Sequence, residues 1–214
     1  MARRPEFDRQ KVMESAMGAF WEHGYEATSM AELLKVTGLS KSSLYSGFGD
    51  KHQLFVSSYD LYRSRMTANL HQVLSSHPSP EGISAFFDEV IGAGTESWQS
   101  FGCMSTNQGI ELARFDAEVS ERVSKDHQVL EDAFTEHLRE GQVSGAVSAV
   151  VDAREVASAL VTAFSGFQLT VRAGLDRTRL RRSLNYLMAP LTASIGVSGA
   201  GENVERATDE HVAG

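Results

Sequence analysis

A single cysteine in 214 residues excludes an internal disulfide and fits a reducing compartment. No apolar run approaches the roughly 20 residues of a membrane helix, and the chain is polar up to Val12. Neither a spanning segment nor a secretory leader is expected, which places the protein in the cytoplasm. There is no Gly-rich phosphate loop, no His-Glu-x-x-His and no Gly-x-Ser-x-Gly, so the corresponding phosphoryl-transfer, zinc-protease and serine-hydrolase chemistries have no support. Alternating runs are also missing. Val143 to Val151 is the one β-leaning stretch, and with Gly141 and Gly145 it reads as a loop. Positive charge is not in excess either, since 20 Lys and Arg against 28 Asp and Glu leave −8. That excludes a generally basic, non-specific nucleic-acid binder.

What the chain does have is helical periodicity, and an all-α fold is expected. Residues 1–56 carry as many basic as acidic residues, so the whole deficit lies beyond them. Position 56 also divides the chain by pattern: a compact unit over 1–56, a helical regulatory and dimerisation domain over 57–195, and a Gly-, Glu- and Ala-rich tail over 196–214 that is expected to be disordered. A long helix should run from Lys51 to about Leu74, ended by Ser75-Ser-His-Pro-Ser-Pro80. Further helices are expected at about 81–98, 103–115, 117–140, 152–173 and 176–194.

The most informative segment is Thr28 to Lys51. Ser29 with Glu32 is a capping box opening a helix that carries Met30, Leu33, Leu34 and Val36. Gly38 supplies the positive φ of a helix C-terminus. Ser40 caps a second helix, with Lys41, Ser42 and Ser43 on its first turn while Leu44 and Phe48 face the core. Asp50 with Gln53 repeats the box and starts a third helix at Lys51, whose free amides and ammonium favour a phosphate. Two helices hinged at a glycine, the second with a polar first turn, form a helix-turn-helix, so the expected partner is double-stranded DNA. Arg3 and Arg4 ahead of it either reach a groove or phosphates, or form a solvated terminus.

With its preceding helix, the segment from about Val12 to Phe55 resembles the DNA-binding domain of the tetracycline-repressor (TetR) family. The resemblance is carried by Phe20, Gly24-Tyr25, Thr28, Gly38, Ser40-Lys41, Leu44-Tyr45, Phe48 and Lys51. It implies phosphate contacts from Thr28, Tyr45 and Lys51 and a groove face at Lys41, Ser42 and Ser43. Gly47 departs from the pattern, standing where many members carry a histidine or aromatic that touches phosphate. Further on, Gly102-Cys103 followed by Glu111 resembles the C-terminal domain of a subgroup that includes electrophile-responsive repressors.

Cys103 is expected on the first turn of a helix, where it is either a buried structural thiol or a sensor. The other trigger is a small-molecule inducer held among Tyr62, Met66, Trp98, Met104, Gln108, Phe134, His137, Phe164, Phe167 and Gln168, each of which could equally be ordinary core. Val156, Leu160 and Phe164 form one stripe and Leu180, Leu184, Leu187 and Met188 another; they make either a homodimer surface or the monomer core. No cofactor or metal is expected. An architectural DNA binder without inducer and a helical metal enzyme built on the His127–Glu131 pair are the competing classes.

Overall fold

A computed structural model of the chain describes residues 7–92, 101–174 and 176–192. Among the described residues there are nine helices: α1 Arg9–His23, α2 Met30–Thr37, α3 Lys41–Phe48, α4 Lys51–Ser75, α5 Glu81–Gly92, α6 Met104–Glu111, α7 Ala117–Ser144, α8 Ala153–Arg172 and α9 Arg177–Thr192. None of them is long and apolar enough to cross a membrane.

Local chemistry fixes most of the boundaries. The side chains of Asp8, Ser29, Ser40, Asp50, Asp116 and Asp152 each accept an amide of the helix they precede, satisfying donors that a helix start leaves unpaired. Gly38 ends α2 at φ 69°, as its position in the sequence requires. Two boundaries differ from expectation. Helix α7 continues through Gly141 and Val143 to Ser144, and Gly145 rather than Gly141 supplies the left-handed stop. Helix α6 is confined to Met104–Glu111, with Cys103 as its extended N-cap instead of a first-turn residue. Helix α5 is described to Gly92; the rest of the expected 81–98 helix, and the 196–214 tail, lie outside the described residues.

Two cores form. Phe20, Leu33, Leu44 and Phe48 from α1 to α3 close on Leu54, Phe55, Tyr59 and Tyr62 of α4, and Cys103, Met104, Leu112 and Val119 complete the same cluster. The other core gathers Leu70 and Leu74 of α4 with Phe86, Phe87, Phe134, Phe164 and Phe167, and with Leu180, Leu184 and Met188 of α9. Helix α4 therefore belongs to both. Burying each such side chain contributes about 1.5–3 kcal/mol, and α4 cannot shift without disturbing both clusters.

The apolar stripes read as a dimer surface are thereby corrected: Leu160, Phe164, Leu180, Leu184 and Met188 are buried in the protomer's own core, and Val156 packs half-buried against it. Only Leu187 of that set stands outward, at 40 % exposure. Periodicity gives the apolar face of a helix but not the surface opposite it.

Candidate nucleic-acid interface and ligand cavity

Helix α3 presents one face to the core and the other to solvent. Leu44 and Phe48 are buried, whereas Ser40, Lys41, Ser42, Tyr45 and Ser46 are exposed and Ser43 is half-buried. The Ser40 hydroxyl accepts the Ser43 amide at 3.1 Å and lies 3.0 and 2.8 Å from the Ser42 and Ser43 hydroxyls. This holds the polar first turn in one arrangement, and each hydroxyl keeps capacity for a further partner. The Lys41 ammonium stays near the Tyr45 ring, at 5.9 Å. Lys51, at the start of α4, lies 4.3 Å over the Tyr25 ring. Burial, followed by the nearby carboxylates of Glu26, Asp50 and Asp116, raises the Tyr25 pKa, so that phenol remains neutral.

Thr28 is corrected. It is fully buried, and its hydroxyl donates to the Gly24 carbonyl at 2.6 Å with the Ala19 carbonyl 3.3 Å away, so it closes the turn between α1 and α2 rather than offering that hydroxyl to a phosphate. The glycine at 47 also acquires a reason: a Cβ there would sit 2.6 Å from Cζ of Phe7, whose ring stacks on Phe48. Arg9 adds to this seam by donating to the Gly47 carbonyl at 2.6 Å. Neither Phe7 nor Arg9 was singled out in the sequence, because both contacts span about forty positions. Arg3 and Arg4 lie outside the described residues.

A cavity of about 40 Å³ lies between α4, α5, α6, α7 and α8. Of the expected pocket residues it is lined by Tyr62, Met66, Cys103 and Phe164, together with Arg63, Thr67, Leu70, Phe86, Ser105, Thr106, Asp126, His127, Val129, Leu130 and Ser165. Met104, Phe134 and Phe167 are buried in the two cores, Gln108, His137 and Gln168 are buried without lining the cavity, and Trp98 lies outside the described residues. The missed lining had one legible signal: Asp126 interrupts the α7 stripe of Val119, Val123 and Leu130 at helical spacing, where an acid needs partners.

Those partners are present. Asp126 accepts Arg63 Nε at 2.7 Å, the Ser105 hydroxyl at 2.6 Å and the Tyr59 hydroxyl at 3.2 Å. Arg63 and Arg122 also hold Asp60; burial pushes that carboxyl upward, but the two guanidiniums outweigh it and its pKa falls below the usual value. At the cavity's other polar corner the Tyr62 hydroxyl donates to Cys103 Sγ at 3.4 Å and accepts the Met104 amide at 3.2 Å. Burial, with Cys103 adding to it, keeps the Tyr62 phenol protonated far above its ordinary range. His127 meets the Ser165 hydroxyl at 3.2 Å while Glu131 pairs with Arg154 at 2.8 Å, so the pair weighed for a metal is turned to different partners. Among the described residues no three acidic, His or Cys side chains gather around a metal-sized space.

With this geometry the chain can be set beside known proteins. Residues 12–57 match the model described as bacterial regulatory proteins, tetR family, and residues 80–187 match the tetracyclin repressor-like C-terminal domain. The chain belongs to the TetR family. Among TetR-type relatives, the HTH-type transcriptional repressor ComR of Escherichia coli (strain K12) is 29 % identical over 176 residues, 81 % of this chain and 84 % of ComR. The uncharacterized HTH-type transcriptional regulator YezE of Bacillus subtilis (strain 168) is 32 % identical over 146 residues, 68 % of this chain and 75 % of YezE. A solved TetR-family regulator, a CifR cysteine mutant complexed with 26bp double-strand operator DNA, superposes with TM-score 0.78 at 25 % identity, covering 89 % of this chain and all of that one. As a TetR-family member the chain is a helix-turn-helix transcription regulator that binds DNA.

Proposed function

We propose that the chain acts as a homodimeric repressor that binds a palindromic operator through two copies of α3 and is released when a small molecule fills the cavity behind Tyr62. The observation that carries this is the split of α3: its apolar face is locked into the core, and Lys41, Ser42 and Tyr45 stand outside on a capped, rigid first turn. A lysine there suits guanine acceptors, and serine tolerates several bases. The overall charge of −8 opposes loose binding, so affinity depends on two half-sites engaged together. The operator complex of CifR and the repressor name of ComR support the same assignment.

The cavity favours a small, neutral, largely apolar ligand with one hydrogen-bonding end. Its one carboxylate, Asp126, is already matched by Arg63, and Met66, Leu70, Phe86, Val129, Leu130 and Phe164 make the walls. Cys103 serves as part of that wall: its residue is 9 % exposed and its sulfur accepts from Tyr62. A response to the inducing molecule that disappears in Cys103→Ser would restore the electrophile-sensing reading.

Fluorescence anisotropy with a labelled duplex from the DNA upstream of the gene provides the test. Saturable binding to one palindrome, at least about a thousandfold tighter than to random duplex at physiological salt, is expected. Equal affinity for both would reject the operator assignment in favour of an architectural binder.

A further inference from the structure

The backbone between the end of α1 and the start of α2 is gripped from the regulatory side by two opposite charges. A helix C-terminus leaves carbonyls unpaired, and the turn after it leaves amides unpaired. Arg172, the last residue of α8, donates to the carbonyls of Trp21 and Glu22 at 3.3 Å each, and to that of Phe101 at 2.7 Å. Glu111, the last residue of α6, accepts the amide of Tyr25 at 3.0 Å on one oxygen and that of Glu26 at 2.7 Å on the other. A cation thus meets the carbonyl end of α1 and an anion the amides beyond it, the favourable placement for each. Gly24, between the two grips, has φ 88°, and a Cβ there would lie 2.7 Å from Glu111 Oε2. The grip therefore needs that glycine.

We infer that, given the operator-binding dimer proposed above, Glu111 and Arg172 are positioning residues that set the separation of the two α3 helices, with Glu111 as the movable prong. The two prongs come from mechanically different places. Arg172 ends α8, whose outward face carries the exposed Gly166 and Leu169; we assign that face to the homodimer contact, which would hold Arg172 in place relative to the partner protomer. Glu111 ends an eight-residue helix about 12 Å long whose other end abuts the cavity: Ser105 and Thr106 line it, and the first amide of α6 is held by Tyr62. A ligand that displaces Tyr62 or Ser105 pushes this short rod along its length. The carboxylate then leaves the Tyr25 and Glu26 amides while Arg172 holds, and the DNA-binding unit pivots. Both prongs act on backbone groups, so the loop's side chains are not needed for the grip.

The test uses the full chain and two readouts. Amide hydrogen exchange at Tyr25 and Glu26 should be at least about tenfold faster in Glu111→Gln, whose side chain offers an NH2 where one of the two amides needs an oxygen. Anisotropy against the upstream palindrome should show affinity weakened about tenfold, while a duplex with one half-site is bound within about twofold of wild type. Unchanged exchange would overturn the inference because the carboxylate would then not hold the turn, and equal weakening on both duplexes would overturn it because the carboxylate would then only maintain the fold of the helix-turn-helix. Should Glu111→Gln fail to fold, Arg172→Gln carries the same palindrome-against-half-site comparison from the other prong: weakening confined to the palindrome supports the inference, and equal weakening on both duplexes overturns it. If the wild type binds neither duplex, the operator reading fails, and the exchange result alone decides whether Glu111 holds the turn.

Discussion

The Trp21 indole N–H donates to the Gly102 carbonyl at 2.8 Å, fastening the last turn of α1 to the residue that precedes Cys103. Trp21 also meets Tyr62 edge-on at 4.9 Å, and Tyr62 holds the sulfur of Cys103 and the first amide of α6. The cavity corner at Tyr62 and Cys103 therefore belongs to the same packed core as the helix-turn-helix rather than touching it across a linker. Because packed interiors do not deform smoothly, a displacement at the cavity is passed on as a shift of whole helices.

Trp21→Phe keeps the aromatic packing but removes the donor, leaving a part-buried carbonyl without its partner. Urea denaturation should show a loss of about 1–2 kcal/mol. A variant as stable as wild type would mean that solvent replaces the bond and that this joint carries no stability.

At the recognition helix, stability and DNA affinity separate by residue. Ser40→Ala removes the cap of α3 and should cost about 1 kcal/mol of stability. Lys41→Ala touches no core atom, so thermal unfolding should stay put while operator affinity falls by about 1–3 kcal/mol if the lysine reads a base. If it contacts phosphate instead, the slope of log affinity against log salt should drop by about one. No change in either quantity would take Lys41 out of the interface.

The sequence made the DNA-binding unit legible because its signals are local. Ser29, Ser40 and Asp50 each cap an amide three residues ahead, and Gly38 takes the left-handed φ at which only it is free of strain. Non-local contacts were not legible. Nothing in the spacing distinguishes Thr28 as a phosphate ligand from Thr28 as the internal donor to Gly24. Glu111 stands out only by its spacing after Gly102-Cys103, within the helix expected over 103–115, and its partners lie 85 and 86 positions away. Phe164 was placed in two roles at once; stacking on Phe86 at 5.0 Å assigns it to the cavity wall and the protomer core.

Acid should unfold the protein partly through Asp60 and Asp116. Burial tends to raise both carboxyls, but hydrogen bonds from Arg122 and Arg63 to Asp60, and from His52 and the Val119 and Glu118 amides to Asp116, bring both below 3.8. A depressed folded value contributes stability that is complete above the unfolded value and is lost as pH falls through the folded one. The melting temperature should therefore vary little with these groups down to about pH 5 and decline below about pH 4. Asp116→Asn keeps a side-chain oxygen for capping α7 yet loses the charge 2.6 Å from His52 Nε2. It should melt lower at neutral pH and show a shallower acid decline; an acid limb parallel to wild type would exclude Asp116 as a contributor.

The outward faces of α8 and α9 should carry the homodimer. Ala159, Thr162 and Gly166 recur on one exposed side of α8 and are small enough for close helix approach, Leu169 continues that side at 42 % exposure, and on α9 Tyr186 is 82 % exposed and Leu187 beside it 40 %. Large apolar groups left outside on adjacent helices mark a contact surface when they cluster. Tyr186→Glu removes nothing from the protomer core, so circular dichroism should be unchanged while light scattering at about 10 µM moves from dimer to monomer mass as an unpaired charge enters the contact. Palindrome binding should then collapse toward half-site affinity, since two recognition helices no longer arrive together. Leu184→Ala supplies the contrast: at 2 % exposure within the protomer it should cost about 2–5 kcal/mol of folding stability before any effect on association. A wild-type protein that scatters as a monomer at this concentration would remove the dimer and, with it, the two-half-site basis of operator recognition.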